Sequence, residues 1–238
     1  VVDAATGKTL KTLPGTESAH EVVVGGDRLF VVFWEYLEPV RDGFQKSGST
    51  RSQWYKDNSK NDPKIKPFYY QPVKTSVKVF DIKTSSLLWE RNDKEMNLIF
   101  PQTLAADGDR VYCKTPEVLY CLDAATGKNV WTSKIGAPLE KLITKWFWVH
   151  KPTPWYWNLQ NTSRVMVLKD RIITFAQKEL YVVSKSDGKV LWKTPCAYAF
   201  VSPPNIFPIK DTLYLTSGKS YRGFDLNTGT SKNTLKTK

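Results

Sequence analysis

A turn motif recurs five times along the 238-residue chain and decides most of what the chain can fold into. It reads Asp3-Ala-Ala-Thr-Gly7-Lys8, Asp81-Ile-Lys-Thr-Ser85-Ser-Leu-Leu-Trp89, Asp123-Ala-Ala-Thr-Gly127-Lys-Asn-Val-Trp131, Ser184-Lys-Ser-Asp-Gly188-Lys-Val-Leu-Trp192 and Asp225-Leu-Asn-Thr-Gly229. The leading Asp carboxylate accepts backbone amides across a turn, and the Gly four residues on supplies a left-handed position. Alternating apolar runs such as Leu119-Tyr-Cys-Leu122 and Leu180-Tyr-Val-Val183 come just before. Each motif is therefore a strand–turn–strand unit. Ser184 stands for the Asp and Ser85 for the Gly in single copies, which predicts degenerate turns there.

A second signal lies upstream of the turns: Gly26-Asp27-Arg28, Gly108-Asp109-Arg110, Lys169-Asp170-Arg171 and Lys210-Asp211-Thr212, each opening a further short strand. From this Asp to the next strand is nine residues in three copies and 50 in the first, so about 41 residues are inserted there. The turns at 81, 123, 184 and 225 are spaced by 42, 61 and 41 residues, which places roughly 19 extra residues in the middle step. Four short strands per 42 residues or so is the pattern of a β-propeller blade. Period-two alternation, broken every few residues by Gly and Asp, argues against a helical repeat. The expected fold is all-β, a single unit over 1–238 made of about four four-stranded antiparallel blades. The reading is three complete blades, most or all of a fourth, and an extra strand pair around the Asp3 turn.

The motif Asp-Ala-Ala-Thr-Gly-Lys followed by Val-Trp, with Gly-Asp-Arg-Val-Tyr upstream, resembles the PQQ-like (quinoprotein alcohol dehydrogenase-like) β-propeller repeat. In character it is closest to the non-catalytic propellers of the outer-membrane-assembly lipoprotein type. The resemblance covers the repeat segments and not the insertions. It implies a propeller of seven or eight blades, of which this chain would be a segment, and a periplasmic or otherwise extracytoplasmic location. It also implies that Trp89, Trp131 and Trp192 dock between neighbouring blades. Lys11 and Asn233 occupy the corresponding positions of the outer copies, which implies weaker docking at both ends. The quinoprotein enzymes of this family carry PQQ and calcium, with a vicinal Cys pair and a Glu/Asn/Asp site, in the axial channel. Neither a Cys-Cys pair nor a dense carboxylate cluster occurs here.

Other chemistries are poorly served. Cys113, Cys121 and Cys196 form no CxxC pair and no disulfide framework. Buried thiols are expected, though strand alternation also allows Cys113 and Cys121 to face each other. His20 and His150 have no second ligand at metal spacing, and no nucleophile elbow or phosphate loop is present. No catalytic residue and no metal ligand is assigned. No apolar run approaches the ~18 residues needed to cross a bilayer as a helix. The net charge is +12, from 35 Lys and Arg against 23 Asp and Glu, which favours anionic partners or simply solubility.

The insertions, at about 36–76 and 136–162, carry the remaining information. Strand direction puts the first between the second and third strands of a blade and the second between consecutive blades, so both decorate one face. The first holds eight Lys and Arg against four acids, with Arg51, Trp54, Tyr55, Lys56 and Tyr69 interleaving base and aromatic. The second holds Trp146-Phe147-Trp148 and Trp155-Tyr156-Trp157. The candidate ligand-binding residues are Arg51, Trp54, Tyr55, Lys56, Tyr69, Trp148, Trp155 and Trp157. Such a mixture suits a protein hot spot or a sugar face stacked on indole, or burial as a satellite core under the insertions. Single-stranded nucleic acid matches the chemistry but not the extracytoplasmic location. The leading expectation is a non-catalytic binding or scaffold propeller for a protein or glycan. A quinoprotein dehydrogenase, and acidic-polymer binding by the basic insertion, remain open as alternatives.

Overall fold

The computed structural model describes residues 3–13, 15–17, 19–36, 73–96, 98–99, 102–136, 164–176, 179–195, 206–217 and 220–236, and these form strands and turns only. Blade 1 comprises β1 (Ala19–Gly25), β2 (Arg28–Tyr36), β3 (Val73–Asp81) and β4 (Leu87–Arg91). Blade 2 comprises β5 (Ala105–Asp107), β6 (Arg110–Lys114), β7 (Val118–Asp123) and β8 (Asn129–Lys134). Blade 3 comprises β9 (Met166–Val167), β10 (Arg171–Ala176), β11 (Glu179–Ser184) and β12 (Val190–Pro195). Blade 4 comprises β13 (Ile206–Ile209), β14 (Thr212–Ser217), β15 (Ser220–Asp225) and β16 (Ser231–Lys236). Within each sheet the strands pair antiparallel in chain order, so the all-β propeller architecture expected from the repeat is the one observed.

The turn chemistry follows the sequence closely. Asp123 Oδ1 accepts the amides of Ala125 and Thr126 at 3.1 and 2.9 Å and the Thr126 hydroxyl at 2.8 Å, while Gly127 N donates to Asp123 O at 2.8 Å. Those bonds, the Thr126 hydroxyl above all, hold the Asp123 carboxyl below its ordinary range. The Ser184 turn keeps the backbone bonds, Gly188 N donating to Ser184 O at 3.0 Å and Ser184 N to Lys189 O at 2.8 Å, and draws its carboxylate from Asp187, which accepts the Lys189 amide at 3.3 Å. At the Ser85 turn the left-handed geometry also survives, with Ser85 itself at φ 63°.

The upstream Asp signal has a structural role beyond opening a strand. The carbonyls of Asp27, Asp109, Asp170 and Asp211 accept amides from Ile82, Ala124, Lys185 and Leu226, at 2.8–3.0 Å. In every blade this joins the turn between strands one and two to the turn between strands three and four. All eight turns thus share one face of the molecule, the turn face.

Burial is concentrated between blades. Phe30, Val32, Val77 and Val79 of blade 1 meet Val111, Cys113, Tyr120 and Leu122 of blade 2. Tyr112, Leu119 and Cys121, on the opposite side of blade 2, meet Ile172, Ala176 and Val183 of blade 3. Ile173, Phe175, Leu180 and Val182 meet Leu213, Leu215 and Phe224 of blade 4. Each middle blade is therefore apolar on both faces, the pattern of a sheet buried between two others. The Cys113 and Cys121 pairing allowed by the sequence is corrected here. Cys113 lies opposite Tyr120 and Cys121 opposite Tyr112, so the two thiols point to opposite faces of the sheet. Both are free and buried.

Candidate functional site

The turn face is built of short, closed turns. The opposite face receives the ends of the long connections. β2 and β3 stay paired as far as Tyr36 and Val73, inside the stretch that the sequence assigned to the insertion, and residues 37–72 leave from that end. β8 ends at Lys134 and β9 begins at Met166, at the same side of their blades. The connection between blades 1 and 2, residues 92–104, opens there as well. Arg51, Trp54, Tyr55, Lys56, Tyr69, Trp148, Trp155 and Trp157 all lie outside the described residues.

Trp89, Trp131 and Trp192 occupy equivalent places at the three blade junctions. Trp89 Nε1 donates to Ala124 O at 3.0 Å, Trp131 Nε1 to Lys185 O at 3.0 Å, and Trp192 Nε1 to Leu226 O at 3.0 Å. Each indole lies flat against the turn glycine of the following blade. A Cβ on Gly127, Gly188 or Gly229 would meet the ring at 2.6–2.7 Å. A register shift in the outermost strand pair comes directly before each tryptophan, as between Val79 and Phe80 opposite Trp89 and Leu87, and it aims the ring across the gap. Asn233, in blade 4, sits against Gly223 instead.

Toward the axis, where β1 touches β5 and β5 touches β9, two charged side chains sit at positions the alternation reserves for apolar ones. Lys114, at the end of β6, has no exposed surface, and its ammonium donates to the Phe175 carbonyl of blade 3. Burial pushes its pKa down to about 7. Thr103 Oγ1 accepts the Lys114 amide at 3.2 Å. Glu21, on β1, accepts backbone amides from Gln102, Thr103 and Leu104, and burial nevertheless pushes its carboxyl up to about 7, with Arg164 opposing the shift. Neither residue was singled out in the sequence. The available signal was a lone charge inside a strand: Lys after Val111-Tyr-Cys113, and Glu two residues before Val23.

Among the described residues no three His, Cys, Asp or Glu side chains are grouped to hold a metal. The thiols of Cys113 and Cys121 are pushed up to about 12 and 11 by burial and are turned into separate junction cores. These residues do not fit a PQQ and calcium site of the quinoprotein kind. Lys114 and Glu21 hold the blades and their connection to each other through backbone groups, which is positioning chemistry.

The fold and its junctions are those of a β-propeller built from four-stranded antiparallel blades. Residues 73–145 match the family described as outer membrane protein assembly factor BamB, a stretch that takes in the outer half of blade 1 and all of blade 2. Among solved structures, the crystal structure of BamB from Moraxella catarrhalis is similar at 16% identity and a TM-score of 0.48, over 67% of this chain and 46% of that one. This chain therefore spans less than half of that protein's length. The computationally designed Ika4 protein is similar at 11% identity and a TM-score of 0.52, over 92% of this chain and 99% of that one. KlHsv2 with loop 6CD replaced by a Gly-Ser linker is similar at 9% identity and a TM-score of 0.53, over 100% and 60%. At these identities the likeness to the last two is one of fold alone. No curated protein matches the chain in sequence.

Proposed function

We propose that this chain is a non-catalytic binding or scaffold propeller, periplasmic or otherwise extracytoplasmic, whose ligand-binding surface is the face opposite the turns. The observation that carries the reading is topological. Both long connections leave from that face, while the other is closed by eight short turns. The match of residues 73–145 to the BamB family supports a protein as the ligand. Trp54, Tyr55 and Tyr69 with Arg51 and Lys56, and Trp148, Trp155 and Trp157, are the contact residues in this reading, since Trp, Tyr and Arg dominate protein hot spots. A glycan stacked on indole is the second ligand class.

A photo-crosslinking amino acid placed in turn at Trp54, Trp155 and, on the turn face, Lys83 tests the assignment in the native compartment. Adducts from the first two positions and none from Lys83 are expected. Adducts confined to Lys83 would overturn the assignment. The basic character of 36–76, eight Lys and Arg against four acids, favours one other reading, capture of an acidic polymer. Deleting 41–66 then weakens retention on a polyanion column and flattens its salt dependence.

A further inference from the structure

Arg91 closes β4, and its partners belong to both sides of a blade junction. Its Nη1 donates to the Gly127 carbonyl at 2.9 Å and to Asn129 Oδ1 at 3.0 Å, both in blade 2. Its Nε donates to Asp93 Oδ2 at 2.5 Å, and its Nη2 stands 3.8 Å from Glu95 Oε2, both in the stretch that follows blade 1. A planar guanidinium with five donors can divide its fork in this way, and a lysine ammonium cannot. The Arg91 side chain is 18% exposed, against 44% for Asp93 and 65% for Glu95. Water therefore screens the ion pairs, and the bonds to Gly127 and Asn129 carry more of the hold.

Residues 92–96 are also tied to both blades without Arg91. Asp93 Oδ1 accepts the Glu95 and Met96 amides at 3.1 and 3.3 Å, which folds the stretch into a turn. The Glu95 carbonyl accepts the Tyr120 hydroxyl of blade 2 at 2.9 Å. The Met96 carbonyl accepts the Thr75 hydroxyl of blade 1 at 3.1 Å, and Met96 is fully buried in the core between the two blades. Thr75 Oγ1 in turn accepts the Ile99 amide at 2.9 Å. Ser133 and Thr194 hold the register of Arg91 in blades 2 and 3, opposite Leu119 and Leu180 as Arg91 is opposite Val77. Their side chains are too short to make the same crossing.

We propose that residues 91–96 are a strap that locks blades 1 and 2 into one unit, with Arg91 as its buckle. While the guanidinium holds Gly127 and Asn129, the two blades open only together; without it they part at the junction between them. Thr75 lies on β3, two residues after Val73, where the first long connection returns. The strap therefore also sets the base of that connection. The lock is a property of the chain itself and holds whichever ligand the face opposite the turns takes.

Amide hydrogen exchange on the whole protein, read residue by residue without ligand, tests the lock. Arg91→Met keeps the length of the side chain and removes its donors. In that variant the Met96 and Ile99 amides of the connection and the Gly127 amide of blade 2 are expected to lose protection together, about 100-fold, with blade 4 unchanged. Arg91→Lys is expected to fall between the two, at about tenfold. Asn129→Ala, at an exposed position, gives a milder probe and is expected to cost about fivefold at the same three amides, but less than twofold when added to Arg91→Met. A loss confined to Met96 and Ile99 would make Arg91 a local cap and overturn the lock. Fully additive effects of Arg91→Met and Asn129→Ala would overturn the buckle.

Discussion

Lys11 Nζ stands 3.0 Å from the carbonyl oxygen of Lys83, one residue further along the turn than the carbonyl that receives an indole at the three other junctions. The substitution explains a second one. Under each tryptophan the turn residue is Gly127, Gly188 or Gly229, because the ring occupies the space of a Cβ. Under the thin chain of Lys11 only the backbone requirement remains, and Ser85 meets it with φ 63°. Trp and Gly in adjacent repeats are thus one device, and they are replaced together.

Exchange of the two turn residues tests this coupling. Gly188→Ser combines a left-handed side chain with a clash against Trp131, and is expected to cost about 3 kcal/mol. Ser85→Gly removes strain and a buried hydroxyl that finds no partner among the described residues, and is expected to add about 1 kcal/mol. Urea denaturation midpoints report both; equal and small effects would mean that the ring does not enforce the glycine.

Trp192 is buried at the junction of blades 3 and 4. Trp192→Phe keeps most of the apolar area and loses the indole hydrogen bond to the Leu226 carbonyl, which still accepts Arg171 Nη1 at 2.6 Å, an expected loss of about 1 kcal/mol. Trp192→Ala opens a cavity and is expected to cost about 3–5 kcal/mol. Thermal unfolding of the two variants should rank them in that order.

Lys114 gives stability an upward slope with pH. Its folded pKa of about 7 lies below the 10.5 of a lysine in water, so the unfolded chain binds more protons between those values and stability rises with pH across the window. Between pH 7 and 9 the parent protein should gain about 2 kcal/mol relative to Lys114→Met, which removes the titration. Chemical denaturation of both proteins at the two pH values checks it, and parallel curves would show that Lys114 is not desolvated.

Site-resolved alkylation distinguishes buried thiols from reactive ones. With their thiols pushed up to about 12 and 11, Cys113 and Cys121 should stay unmodified by iodoacetamide at pH 8 in the native state and react fully in denaturant. Mass spectrometry should find no peptide linked by a disulfide between them.

The blades were legible because their chemistry is local. Period-two alternation, a carboxylate and a left-handed glycine follow one another within about ten residues, and Leu119 to Gly127 spells all three. The junctions were half legible: the sequence marks the tryptophans, but Lys11 reads as a lost anchor until the Lys83 carbonyl is seen beside it. Glu21 and Lys114 were missed because what distinguishes them is burial by other blades. Glu21 meets amides 83 residues away and Lys114 a carbonyl 61 residues away, separations that no local pattern encodes. The orientation of the Cys pair was likewise hidden, since it depends on a register offset of one residue between β6 and β7.

The clasps made by Trp89, Trp131 and Trp192 all point forward along the chain, and this has a consequence for how the blades come together. The carbonyl that receives Trp89 lies 35 residues downstream, that for Trp131 54 residues, and that for Trp192 34 residues. A blade that folds ahead of its successor therefore carries an unhoused indole until the next repeat has formed its turn. Each repeat thus fastens the one before it, and the longest span of chain to be closed falls to Trp131.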